Sequence, residues 1–96
     1  MYVIRDVFKA KAGKAKDLVA KFKSCTPVLR GEGIHNIRIL TDVTATFWSV
    51  VWEFEAESVE DYFRLTERVD DPKVYHIMEG YHDYIVEGHR EIFKIE

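Results

Sequence analysis

The stretch 46–55 (TFWSVVWEFE) constrains the fold of this chain more than any other part of the sequence. Large apolar residues stand at every second position, at Trp48, Val50, Trp52 and Phe54. This period of two, built from aromatic and β-branched residues, predicts a β-strand. The alternate positions are mixed and also carry apolar bulk. We therefore expect a central strand with a layer on each face, and we expect the chain's own helices to supply only one of the two layers.

The length of 96 residues predicts a single domain. No apolar run approaches the roughly 20 residues that span a bilayer. The N-terminal segment MYVIRDVFKAK lacks the apolar core of a signal peptide. The single cysteine, Cys25, has no partner for an internal disulfide, which is typical of a reducing compartment. We predict a cytoplasmic protein with no membrane partner, in which Cys25 packs in the core.

The net charge of −3 conceals a separation of the two signs along the chain. Residues 1–30 carry eight Lys or Arg against two Asp, whereas residues 53–91 carry twelve acids against four bases. No glycine- or aromatic-interleaved basic tract accompanies the lysines, so we predict no nucleic-acid partner. We expect instead that two helices of opposite charge lie side by side.

The first third of the chain predicts a strand followed by a helix. Residues 2–9 alternate weakly and are rich in β-branched residues, which predicts the first strand. The apolar stripe of the following helix consists of Leu18, Phe22, Cys25 and Leu29. Pro27 is expected to end or kink this helix before a last turn to Arg30, and Gly31 and Gly33 then stop it.

The middle of the chain predicts a hairpin. Residues 34–41 form its first strand, and the short connection 42–45 joins that strand to the tryptophan strand 46–55 in antiparallel fashion. One face of the first strand is expected to carry His35, Ile37, Ile39 and Thr41. Ser58 is then the predicted N-cap of a second helix, with Asp61 completing a shortened capping box.

The last part of the chain predicts two helical segments and a strand. The apolar side of the helix after Ser58 is expected to consist of Val59, Tyr62, Phe63 and Thr66. Asp70-Asp71-Pro72 marks a break, and Pro72 suits the first turn of a further segment. The inner surface of that segment is expected to consist of Val74, Tyr75, Ile77, Met78 and Tyr81. Residues 86–95 predict the last strand, where Gly88 allows a bulge.

The order of elements is therefore βαββαβ. This is the ferredoxin-like α+β unit, an antiparallel four-stranded sheet with both helices on one face. The second face of the sheet is left bare, and either parity of the tryptophan strand would place apolar side chains there. A large exposed apolar patch marks an association surface. We predict one domain, residues 1–96, that forms a twofold homodimer by sheet-to-sheet packing.

Three segments carry a resemblance to known proteins: the Lys-Ala-Gly turn at 11–13, VVWEFEAES at 50–58 and GHREIFKIE at 88–96. Across its whole length the chain resembles the dimeric α+β barrel superfamily, which includes antibiotic-biosynthesis-monooxygenase-like and NIPSNAP-like domains. The resemblance implies two facing sheets, with a ligand cleft inside the barrel or between each sheet and its helices. It also implies that the dimer side of the tryptophan strand carries Trp48, Val50 and Trp52.

Activities in this superfamily include cofactor-free monooxygenation of polycyclic phenols, muconolactone-type isomerisation and haem degradation. The haem-degrading members use an Asn, a Trp and a His. The resemblance places the Asn position at Asp6, the His position near His76, and the Trp position near Tyr62 or Phe63. Because two of these three residue types differ here, haem binding or haem cleavage is the least favoured of the activities. We predict that the protein uses no cofactor.

Asp6 and His76 are the predicted catalytic residues. Asp6 stands mid-strand among apolar neighbours, where a carboxylate is disfavoured unless it is paired. It is either a general base for a phenol or an enolisable carbon, or the ion-pair partner of Arg5, Arg38 or Arg90. His76, on an apolar helical segment, is either an acid or base in a cavity or a hydrogen-bonded, partly buried side chain.

The predicted ligand-binding residues would surround a planar apolar molecule. Arg38 would orient an anionic group or pair within the sheet. The aromatic residues that would stack on the ligand, or alternatively pack in the core or the dimer interface, are Trp48, Trp52, Tyr62, Phe63 and Tyr81. His76, His82 and His89 do not share a helix face, and the sequence has no HxxxH or CxxC spacing. No metal site is predicted.

Two functions of different kinds follow from these residues. One is a cofactor-independent monooxygenase-like or isomerase-like enzyme, or a binder, that acts on a small flat apolar ligand in a dimeric barrel cleft. The other is a non-catalytic homodimeric interaction or sensor domain. A cavity lined by both Asp6 and His76 would favour the enzyme.

Overall fold

The computed structural model describes residues 1–30, 33–67 and 72–96. Its strands are β1 (Tyr2–Ala10), β2 (Ile34–Thr41), β3 (Ser49–Ala56) and β4 (Ile85–Lys94). Its helices are α1 (Ala15–Leu29), α2 (Val59–Glu67) and α3 (Pro72–Met78), and a 3₁₀ helix (Tyr81–Tyr84) precedes β4. The order agrees with the predicted βαββαβ, with the second helical region divided in two. The predicted helix stop at Gly31 and the break at Asp70 and Asp71 lie outside the described residues.

The four strands form one antiparallel sheet in the order β2-β3-β1-β4. Ile4 of the central strand β1 is opposite Phe54 of β3 on one side and Ile92 of β4 on the other. Ile4 is fully buried, in a cluster that contains residues of α1, α2 and α3, so the helices cover this face of the sheet. The predicted ferredoxin-like α+β fold is confirmed. Within the described ranges, no helix has both the length and the apolarity needed to cross a bilayer.

The tryptophan strand is shorter than predicted and faces the other way. Strand β3 begins at Ser49, and Trp48 lies in the preceding turn with a left-handed φ of 60°. Val50 is fully buried, and Trp52 packs with it against α1. The prediction that Val50 and Trp52 face a dimer partner is therefore wrong. Both parities of the strand carry apolar residues, and the register with β1 places the even-numbered residues under the helices.

Strand β2 has the predicted bounds, but its alternation is interrupted at Asn36, so that even- and odd-numbered residues exchange faces there. Asn36 has a left-handed φ of 54°, and the pairing with β3 shifts between His35 and Arg38. As a result Ile34 and Ile37 both pack against the helix-side core, although strict alternation would separate them. His35 is exposed and does not share a face with Ile37, contrary to the prediction.

Helix α1 buries the predicted stripe of Leu18, Phe22, Cys25 and Leu29. Pro27 lies inside this helix, which continues to Leu29 instead of ending near residues 24–26. A proline inside a helix removes one hydrogen-bond donor and crowds the carbonyl four residues earlier, and α1 continues for only two residues after Pro27. Thr26 Oγ1 donates to the carbonyl of Phe22 at 2.8 Å in the same turn.

Helix α2 begins at the predicted cap. The backbone N–H of Asp61 donates to Ser58 Oγ at 3.1 Å, and Ser58 Oγ donates to Asp61 Oδ2 at 2.9 Å. The buried side of this helix is nevertheless rotated from the predicted one, since Tyr62 and Leu65 are buried while Phe63 is 57% exposed.

Helix α3 lies against α1, so the helices of opposite charge are not arranged as predicted. Lys21 of α1 donates to the carbonyl oxygen of Ile77 at 3.1 Å, at the end of α3. Lys14 pairs with Asp17 of its own helix. Among the described residues, the lysines of α1 form no ion pair with an acid of α2 or α3. Tyr75 is 72% exposed and does not belong to the inner surface of α3.

The face of the sheet away from the helices is less apolar than predicted. A row of alternating charges, Arg38, Glu53, Arg5 and Glu91, crosses all four strands in register. Arg5 Nε lies 3.3 Å from Glu53 Oε1, and Arg38 pairs with the other oxygen of Glu53. Glu53 is only 6% exposed because these side chains cover it. We call this surface the open face.

Candidate functional site

A cavity of about 80 Å³ lies between the helix side of the sheet, the end of α1 and the length of α2. Its apolar wall consists of Leu29, Ile37, Trp52, Phe54 and Leu65, with Tyr62 and Thr66 from α2. Asp6 of β1 and Arg90 of β4 close the polar end. This combination of an apolar wall with a few converging polar groups is typical of small-molecule sites.

Asp6 and Arg90 form an ion pair at the polar end of the cavity because they are directly opposite each other on β1 and β4. Arg90 Nε donates to Asp6 Oδ1 at 2.5 Å, and Nη2 donates to Oδ2 at 3.2 Å. Nη1 donates to the hydroxyl oxygen of Tyr62. The hydrogen bond to Asp6 raises the pKa of Arg90, although burial opposes this shift. The guanidinium therefore stays charged at any physiological pH.

Trp52 lies beside Asp6 on the same face of the sheet, since the two residues are paired across β1 and β3. One face of its indole stacks on Phe22, with ring centroids 4.5 Å apart and an interplanar angle of 17°. The indole Nε1–H is buried and has no acceptor among the described residues. A buried donor without a partner is rare in folded proteins and costs free energy, so it needs an explanation.

A second, more open hollow of about 300 Å³ adjoins the same ion pair. It is lined by Phe8, Ile85, Gly88 and His89 together with Asp6 and Arg90. A Cβ atom on Gly88 would lie 2.9 Å from the ring of Phe8, so the glycine lets this ring lie across β4. Asp6 and Arg90 thus belong to both spaces.

The predicted catalytic residues are not brought together. Asp6 lines the cavity, and of the arginines considered as its partner Arg90 is the one that pairs with it. His76 is exposed on α3 and is not among the residues that line the cavity.

Two of the six predicted ligand-binding residues line the cavity, and four do not. Trp52 and Tyr62 line the cavity. Trp48 is 45% exposed, with its ring against Phe47 in the turn before β3. Arg38 pairs with Glu53 on the open face. Phe63 and Tyr81 lie outside the cavity lining: Phe63 is exposed beside Tyr62, and Tyr81 packs on the core beside α1.

Sequence reasoning missed most of the apolar wall. Leu29 and Leu65 look like ordinary core positions on their helices, and Ile37 reaches the cavity through the parity change at Asn36. Arg90 was named as one of three possible ion-pair partners of Asp6, but not among the predicted ligand-binding residues. Both residues stand mid-strand in the sequence, and the register of β1 with β4 selects Arg90 among the three candidates.

Other reactive groups do not form a second centre in the described ranges. Cys25 is fully buried, and burial raises the pKa of its thiol, which disfavours the reactive thiolate. No cluster of three or more His, Cys, Asp or Glu residues with metal-binding geometry occurs among the described residues.

Several solved structures share the fold of this chain. No protein-family model matches the chain, and no curated protein does. A NIPSNAP family protein of unknown function from Agrobacterium tumefaciens superposes with a TM-score of 0.85 at 13% identity, covering 99% of this chain and 87% of that chain. A NIPSNAP domain protein from Burkholderia xenovorans superposes with a TM-score of 0.82 at 15% identity, covering 100% of this chain and 95% of that chain.

An antibiotic-biosynthesis-monooxygenase-like protein from Nitrosomonas europaea gives a TM-score of 0.79 at 16% identity, covering 98% of this chain and 97% of that chain. The chain therefore has the fold of the NIPSNAP-like and antibiotic-biosynthesis-monooxygenase-like domains, as the sequence resemblance implied. At these identities the likeness concerns the fold alone.

Proposed function

We propose that this NIPSNAP-like fold binds a small, flat, mainly apolar molecule that carries one hydrogen-bonding edge. The observation that carries the proposal is the unpaired Nε1–H of Trp52, which is buried in a residue that lines the cavity. A ligand oxygen or nitrogen would supply the missing acceptor once the side chains that cover the indole N–H move aside. Asp6, opposite Trp52 in the sheet, would accept a hydrogen bond from a hydroxyl group of the same ligand.

The geometry favours binding over acid–base catalysis. Both carboxylate oxygens of Asp6 accept hydrogen bonds from Arg90, so the carboxylate already has a cationic partner, and its remaining lone pairs can accept from a ligand hydroxyl. His76 is exposed on α3 and does not face Asp6 across the cavity. We therefore favour a binding or sensing role over a monooxygenase or isomerase. A cytoplasmic location stays a prediction from the single cysteine.

Phenol is a suitable first probe, because it has one flat ring and one hydroxyl. In a Trp48→Phe variant, Trp52 is the remaining tryptophan of the two, so its emission and its indole N–H resonance report on the cavity. We expect saturable changes in both, with a dissociation constant on the order of 1 mM, as for a fragment of few atoms. The indole N–H resonance should move downfield as it gains an acceptor.

A matched pair of variants on α2 separates cavity binding from surface binding. Leu65→Phe adds a ring inside the cavity and should abolish the phenol response. Val59→Phe adds a ring on the exposed side of the same helix, where Val59 is 38% exposed, and should leave the response unchanged. Equal responses in the two variants, or none in the parent protein, would refute the proposed site.

We also propose that the domain forms a homodimer through the open face. Leu40 is 37% exposed and Phe93 52% exposed on strands that border this face. The row of alternating charges would set the register between two facing sheets, since like charges placed opposite each other are unfavourable. Leu40 and Phe93 would supply apolar contact area, and the charges between them are already paired within each sheet.

Sedimentation velocity tests the dimer directly. At micromolar concentration we expect a species of about twice the chain mass of 11.3 kDa. Val7, two residues from Arg5 on β1, points to the open face like Arg5. Val7→Glu with Leu40→Glu should shift the protein to the monomer by placing unpaired carboxylates in the interface. Tyr75→Glu, at a 72% exposed position on α3, is the control and should leave the dimer intact. A monomer in the unmodified protein would end this proposal.

A further inference from the structure

We infer that Arg90 is the movable wall of the ligand site and sets the largest ligand that the site accepts; this rests on the proposed function. The cavity of about 80 Å³ is small. An engineered protein cavity that holds benzene measures about 150 Å³. Most ligand pockets exceed roughly 300 Å³. A flat ring therefore enters this cavity only when part of its wall moves.

The wall that the cavity shares with the outer hollow is made of two side chains. Asp6 and Arg90 are the described residues that line both spaces. The side chain of Asp6 is short and 16% exposed on the central strand, whereas that of Arg90 is 50% exposed on the edge strand β4. Arg90 has the length and the free volume to rotate outwards while the backbone stays in place.

Four contacts hold the Arg90 side chain between the cavity and the outer hollow. They consist of the two hydrogen bonds to Asp6, one hydrogen bond to Tyr62, and a cation–π contact 5.4 Å from the Tyr62 ring centroid. An ion pair with a half-exposed partner contributes little net stability, because water competes for both groups. After rotation of Arg90, Asp6 and the Tyr62 hydroxyl can bond to water or to a ligand hydroxyl.

Opening at Arg90 would join the two spaces into one elongated site. The inner part presents Trp52, Phe54 and Leu65 to a first ring. The outer part presents Phe8 and Ile85, with Gly88 leaving room because it has no side chain. The ligand class that fits is a flat molecule of two fused rings with a hydroxyl group near Asp6. A small displacement of Arg90 would admit the first ring, whereas only its full rotation would admit the second, so Arg90 selects against the second ring.

Comparing 1-naphthol with phenol tests this inference, in the Trp48→Phe background with Trp52 as the reporter. Arg90→Ser removes the wall, so it should tighten the binding of both probes, and it should tighten 1-naphthol binding at least tenfold more than phenol binding. Arg64→Ser, which removes an exposed arginine paired with Asp61 on α2, is the matched control and should change neither affinity. Tyr62→Phe loosens Arg90 without removing it and should raise the association rate of 1-naphthol.

The possible results separate the inference from the function on which it rests. If phenol binds but Arg90→Ser leaves the ratio of the two affinities unchanged, Arg90 is not the wall and the binding site stands. If neither probe binds any variant, the proposed function fails and the inference fails with it. Should Arg90→Ser unfold, Asp6→Asn combined with Arg90→Ser removes the unpaired carboxylate, and the same tenfold gain for 1-naphthol relative to phenol is expected.

Discussion

Replacement of Phe22 by Ala is expected to lower the free energy of unfolding by about 3–5 kcal/mol, the range for deleting a buried aromatic ring. Phe22 is 1% exposed and stacks on Trp52, and its ring centroid is 5.3 Å from that of Phe8. It therefore joins α1 to the two central strands of the sheet. The total free energy of unfolding of a domain is roughly 5–15 kcal/mol, so this loss is a large part of it.

Urea unfolding followed by circular dichroism measures the Phe22→Ala effect, provided that the slope with denaturant is unchanged. Phe63→Ala is the matched control: it deletes the same ring from a 57% exposed position and should cost within about 1 kcal/mol. If Phe22→Ala does not fold, Phe22→Leu keeps most of the volume and should cost about 1–1.5 kcal/mol. A Phe22→Ala loss no larger than that of Phe63→Ala would mean that the stack on Trp52 does not hold α1 to the sheet.

Features that depend on neighbours along the chain were predictable from the sequence. The stripe of α1 follows from steps of three and four residues, and burial of that stripe needs no knowledge of the partner. The cap at Ser58 and Asp61 follows from their spacing of three residues. The fold class follows from the order of such elements, because few topologies bury these faces.

Features that depend on register were not predictable. The direction of the tryptophan strand was misjudged because Val50 and Val51 are both suited to burial, and only pairing with β1 decides between them. Asn36 adopts the left-handed conformation more readily than most residues, but this preference alone does not predict a parity change within a strand. The buried side of α2 was misjudged for the same reason. Tyr62 and Phe63 are adjacent aromatic residues, and only the packed structure shows that Tyr62 faces the sheet.

The candidate site contains features that were predictable from the local sequence and features that depend on register and packing. Asp6 was predictable because a carboxylate in the middle of an apolar strand requires a partner. Its partner Arg90 lies 84 positions away and was one of several arginines that fitted until the register of β1 with β4 was known. The unpaired indole N–H of Trp52 is a property of the packed structure and is not visible in the sequence.

Replacement of Gly33 by Ala is expected to lower the free energy of unfolding by about 2–4 kcal/mol, from left-handed backbone strain together with overpacking. Gly33 has a φ of 81°, and a Cβ atom there would lie 2.6 Å from Asp61 Cγ. Asp61 cannot move without loss, because it bonds Ser58 at the start of α2 and pairs with Arg64. The hydrogen bond from Ser58 lowers the pKa of Asp61, so the displaced group would be a charged carboxylate.

Gly13→Ala is the control that isolates the steric part of the Gly33 effect. Gly13 has nearly the same φ, 77°, but a Cβ atom there would meet no atom within 4 Å, so the expected cost is about 1 kcal/mol of conformational strain. In an Asp61→Ala background, the loss from Gly33→Ala should fall to the Gly13 value, because the clash is gone. If the two glycine variants cost the same with Asp61 present, Gly33 is required only for its backbone conformation. A larger loss at Gly33 that disappears without Asp61 would show that the turn before β2 and the cap of α2 fold as one packed unit.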